Sequence, residues 1–143
     1  MLFGSDRNQL RQMWIDAWQA DKAGHTLIPL HQELVNIIKL HPEYIAVLED
    51  GEAAIGKEYL PEMGETNPFL HMSMHQGIHE QLSSGRPKGI RKVYKALCTK
   101  FKDPHEVEHQ MIECLAEAIW QAQRSGTPPD ETRYLKQLKR LLK

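Results

Sequence analysis

Helix punctuation runs through this chain, and no stretch alternates apolar and polar residues over the length of a strand. The sharpest signals are Asn67-Pro68 and Asp103-Pro104. In each, a side-chain oxygen able to accept from unpaired helix N–H groups precedes a proline whose fixed φ suits a first turn. Asp6, with Gln9 three residues on, is a capping-box variant, and Thr127 with two prolines and Asp130 reads the same way. Gly24, Gly51, Gly85 and Gly126 stand where helices should stop. Between these marks apolar residues recur at helical spacing, as in Leu10, Met13, Trp14, Ala17 and Trp18, or Leu70, Met74, Ile78 and Leu82. The pattern predicts an all-α fold, a bundle of five to six helices in one domain over residues 1–143. A chain of 143 residues is long enough for one such core and short for two. Residues 51–66 are the irregular stretch, broken by Gly51, Gly56, Pro61 and Gly64 and made acidic by Glu52, Glu58, Glu62 and Glu65. They read as a long connecting segment that could cover a pocket.

Composition narrows the class further. No apolar run approaches the roughly 20 residues a membrane-spanning helix needs. No basic segment followed by an apolar one opens the chain, so a cytoplasmic protein is expected. Cys98 and Cys114 sit among apolar neighbours and read as buried thiols rather than a disulfide. The net charge of −1 conceals an asymmetry: residues 1–85 carry five Lys/Arg and twelve Asp/Glu, residues 86–143 thirteen and seven. The basic half could attract an acidic partner, the chain's own acidic half, or a second copy in a homo-oligomer.

Histidine placement carries the chemistry. His71 and His75 lie four apart after Pro68, and His105 and His109 lie four apart after Pro104, with Glu113 one turn further. That spacing brings two imidazoles onto one helix face. If short connections make the two helices parallel neighbours, both pairs fall within about one turn of the same level, at ~1.5 Å rise per residue. His71, His75, His105, His109 and Glu113 are therefore the candidate metal ligands. Imidazoles plus one carboxylate suit a divalent transition metal, Zn²⁺ or Fe²⁺ first. The competing view is that these histidines are packed and hydrogen-bonded, with no metal. On the helical wheel His79 and Glu80 point away from the pair and are poor ligands.

A metal-free alternative rests on residues 86–102. Arg86, Lys88, Arg91, Lys92, Lys95 and Lys102 form a basic face opposite Ile90, Val93, Tyr94 and Leu97, with no acid before Asp103. A partner protein or nucleic acid could use it. Tyr94 and Phe101 fall on the inner face, so single-strand stacking is not supported, and nucleic acid ranks below metal because the acidic N-terminal half could neutralise the same face. There is no phosphate-binding glycine loop, and no Ser or Cys stands beside a base, so the residues name neither a reaction nor a substrate.

Several of these segments resemble a known family. They are Thr66-Asn-Pro-Phe-Leu-His-Met-Ser-Met-His75, Glu80-Gln81, His105 through Arg124, Trp14, His41-Pro42-Glu43-Tyr44 and Thr127-Pro128-Pro129-Asp130. Together they are similar to a bacterial family whose label in words is domain of unknown function eighteen forty-one. The resemblance covers most of the chain and implies a small cytoplasmic bacterial protein. It supports His71, His75, His105, His109 and Glu113 as motif positions and implies no particular activity.

Overall fold

Capped starts, prolines and apolar stripes produce helix throughout. The structure, a computed structural model, describes residues 7–57, 59 and 67–143. The expected cap Asp6, and Glu58, Pro61, Glu62, Gly64 and Glu65 of the acidic connector, lie outside the described residues. Among those described there are eight α-helices and no strand. They are α1 (Arg7–Lys22), α2 (Pro29–Lys39), α3 (Ile45–Glu49), α4 (Gly51–Gly56), α5 (Pro68–Ser84), α6 (Ile90–Phe101), α7 (Pro104–Ser125) and α8 (Glu131–Arg140), with a 3-10 turn at Pro42–Tyr44 before α3. The all-α class holds, with more helices than the five to six expected. The short helix expected after His41-Pro42 is α3, and the surplus includes α4, which occupies part of the expected connector.

α4 forms despite its terminal glycines because it is packed and capped. Ala54 is buried and α4 lies against α1. Arg11 of α1, 1% exposed, donates through Nη1 to the carbonyls of Ala54 (3.0 Å), Ile55 (2.9 Å) and Lys57 (2.7 Å). These are carbonyls that the end of a helix leaves without intrahelical partners. The Arg11 guanidinium also lies over the rings of Tyr59 and Phe69, which suits a weakly hydrated, delocalised cation.

The chain divides into two compact units, Met1–Gln76 and Gly77–Lys143, with α5 running through the boundary. The core of the first gathers Trp14, Ile15 and Trp18 of α1, Leu34, Val35, Ile37 and Ile38 of α2, Leu48, and Phe69 and Met72 of α5. The Trp14 indole donates to Ser73 Oγ at 3.2 Å, which satisfies a buried N–H. α5 buries Phe69, Met72 and Ser73 together with Met74 and Ile78 of the expected stripe, while Leu70, also expected inside, is 52% exposed.

In the second unit α6, α7 and α8 pack on one another and bury Ile90, Val93, Leu97, Val107, Met111, Leu115, Tyr134 and Leu138. Asp103 caps α7 by accepting from the His105 N–H, and Gly126 ends it at φ 65°. α8 begins later than the Thr127 signal suggested, at Glu131, with Asp130 accepting from the Arg133 N–H as its cap. Pro129 explains the delay, since a proline disfavours helical backbone at the residue before it. No helix among the described residues is long and apolar enough to cross a membrane.

Candidate metal-binding histidines

In the first unit the local fold draws three imidazoles together. Asn67 Oδ1 accepts from the N–H groups of Phe69 (3.0 Å) and Leu70 (3.1 Å) and so fixes the start of α5. His71 and His75 follow one turn apart, and their Nε2 atoms stand 3.2 Å from each other. His41, in the turn that follows α2, joins them from far away in sequence. Its ring centroid lies 5.1 Å from that of His71 and 4.6 Å from that of His75, and the His71 and His75 centroids are 4.9 Å apart. His41 and His75 are buried and His71 is half-buried.

The tautomer of His41 follows from its partner. Nδ1 lies 2.9 Å from the Ile37 carbonyl. A carbonyl only accepts, so Nδ1 carries the proton and the lone pair of the neutral ring is at Nε2. A backbone carbonyl holding one ring nitrogen while the other bears the lone pair is the usual support of a metal-ligating histidine. Tyr44 stacks on the His41 ring at 5.5 Å and an angle of 11°. Burial, with Glu43 adding to it, pushes the Tyr44 hydroxyl above its ordinary range, so it stays a neutral phenol. The 3.2 Å between the His71 and His75 nitrogens matches two nitrogens ligating Zn²⁺ at ~2.0–2.1 Å in tetrahedral geometry, which stand about 3.3 Å apart.

In the second unit the cap at Asp103 sets the phase of α7. His105 and His109 follow with ring centroids 4.3 Å apart, both half-buried. Glu113, one turn on, is exposed. His79 of α5 pairs through Nε2 with Glu108 of α7, and Glu108 is only 5% exposed. That pairing accounts for His79, and it commits a carboxylate that sits on α7 between the two histidines. Burial, a hydrogen bond to Cys98 and the nearby charges of Cys98 and Glu108 raise the Tyr94 hydroxyl to about 12. Burial, reinforced by Glu113, also raises the Cys114 thiol, which argues against its use as a nucleophile.

The sequence singled out neither His41 nor Glu108. His41 shares no helix face with the two pairs, and the only local sign was the proline after it. Glu108 stands next to Val107 of the apolar stripe, a position where a charge is buried only if it has a partner. Two cations of α6, Arg91 of the basic face and Lys100 beside it, are engaged by helix ends. Arg91 donates from Nε to the Leu82 carbonyl (2.7 Å) and from Nη2 to the Ser83 carbonyl (2.6 Å), at the end of α5. Lys100 donates to the carbonyls of Leu141 (2.7 Å) and Lys143 (2.8 Å), just past α8. Both serve helix C-termini, where cations are favoured.

No curated protein and no solved structure matches this chain. Residues 6–140 match the family described as Domain of unknown function (DUF1841). With the match spanning nearly the whole sequence and including both histidine pairs, the chain belongs to that family.

Proposed function

We propose that this protein binds one divalent transition metal, Zn²⁺ or Fe²⁺, through histidine imidazoles. The observation that carries the reading is the nest of His41, His71 and His75, in which the His71 and His75 Nε2 atoms stand at the spacing of neighbouring ligands and the His41 ring packs against both. His105 and His109 of the second unit form a further pair, with ring centroids 4.3 Å apart. His71 lies beside His41 and His75, and Glu113, the one carboxylate of the sequence-derived candidates, is exposed on α7. Nitrogen donors of this kind suit first-row metals. A position left open to water would give a metal-bound hydroxide near neutral pH and with it hydrolytic chemistry.

Elemental analysis of protein purified without an affinity tag tests the reading. About one Zn or Fe per chain is expected, lost in His41→Ala and in His75→Ala and kept in Glu113→Gln. Metal-free protein whose melting temperature is unmoved by added Zn²⁺, Fe²⁺ or Ni²⁺ would overturn it.

A further inference from the structure

We propose that the outward faces of α6 and α8 together bind the phosphate backbone of a nucleic-acid duplex. The surface lies within the second unit, which from Gly77 onward carries thirteen Lys/Arg against eight Asp/Glu. At ~100° per residue, Lys92 and Lys95 lie on the side of α6 opposite Val93 and Leu97, and Lys88 and Lys102 flank the helix on that side. All four are exposed, and α6 contains no acid. α8 repeats the arrangement. Lys136, Lys139 and Arg140 lie opposite Tyr134 and Leu138, Lys143 follows, and no acid occurs after Glu131. The hydrogen bonds from Lys100 to the carbonyls of Leu141 and Lys143 join the two stripes at their C-terminal ends. None of the eight cations in the stripes forms an ion pair among the described residues.

The character of the surface selects its occupant. Protein interfaces are anchored by buried apolar or aromatic residues. Among the described residues the exposed large hydrophobics are Ile28, Leu30, Leu40, Leu70 and Trp120, none of them on α6 or α8. A single strand needs aromatic faces for its bases, and Tyr94 and Phe101 are both half-buried. Repeated cations without acids or apolar anchors match an array of phosphates, which needs charge and no base contact. Arg91 and Lys100 stand apart from this function, because each is engaged with a helix terminus.

Fluorescence anisotropy with labelled DNA and RNA duplexes of about 20 base pairs tests the surface, with a single strand of equal length for comparison. Micromolar duplex binding is expected near ~50 mM salt, weakening at least tenfold by ~200 mM. Combined Lys92→Glu, Lys95→Glu, Lys136→Glu and Lys139→Glu should weaken it tenfold or more and flatten the salt dependence by about three to four contacts. The same four changed to Gln should weaken it less, which guards against a folding defect in the reversed protein. Absence of duplex binding at tens of micromolar in low salt, or binding indifferent to both variants, would overturn the proposal. So would a salt-sensitive dimer lost in the variants without any duplex affinity, since the surface would then belong to a second copy of the chain. Metal content in His75→Ala is an independent readout, so either reading can fail alone.

Discussion

The Nε2 atoms of His71 and His75 stand 3.2 Å apart, one helical turn from each other on α5, with the His41 ring against both. Because His41 comes from a different element, it separates a metal centre from a chance helical pair. His41→Ala should lower Zn²⁺ affinity at least tenfold by isothermal titration, whereas His79→Ala, which touches Glu108 instead, should leave it within about twofold. Zn²⁺ at 100 times its dissociation constant should stabilise the wild-type fold by about 2.7 kcal/mol and His41→Ala by much less.

Arg11 should be among the most sensitive positions outside the histidines. Its single Nη1 serves three carbonyls at the end of α4 while the side chain is almost wholly enclosed. Arg11→Met keeps much of the volume and removes the donor, so a loss of about 2–4 kcal/mol is expected by denaturant unfolding. Protease cleavage following α4 should accelerate in the same variant.

The start of α8 gives a direct contrast. Asp130→Ala removes the side-chain acceptor for the Arg133 N–H and should cost about 1 kcal/mol. Thr127→Ala, at the position the sequence suggested as cap, should change stability by no more than about 0.5 kcal/mol. Equal losses for the two would contradict the observed boundary.

Alkaline pH should destabilise the protein through Tyr134. Its hydroxyl donates to Gln81 Oε1 at 2.8 Å, and burial raises it above its ordinary value, against a smaller opposing effect of Gln81. A raised folded-state pKa means that the unfolded chain loses its proton first. The stability this group contributes is full below about pH 10 and falls as pH rises beyond it. Tyr134→Phe should therefore lose roughly 1 kcal/mol at pH 7 with the hydrogen bond, yet show a shallower decline above pH 10 in thermal melts.

Much of the fold was legible because helix starts are written locally. Asn67-Pro68 and Asp103-Pro104 each place the acceptor and the proline in adjacent residues, and both helices begin there. Two other boundaries required longer-range information. The glycines of α4 read as breakers until Arg11, more than forty residues earlier, closes its C-terminal carbonyls. At Thr127 the cap signal was sound in type but displaced, since Pro129 keeps Pro128 out of helical backbone. The candidate site divided in the same way. Pairs four apart on one helix were visible, whereas His41 and the His79–Glu108 contact depend on elements meeting in space. No spacing rule within a helix reports that.

The pairing of Glu108 with His79 has a consequence for competition among ions. A carboxylate engaged by an imidazole offers little to a hard cation, and the nest of His41, His71 and His75 offers imidazole nitrogen. Mg²⁺ and Ca²⁺ seek oxygen ligands and bind neutral imidazoles poorly. A centre assembled from these donors would thus ignore a large excess of magnesium, and the scarce transition metals would contend only with one another for it.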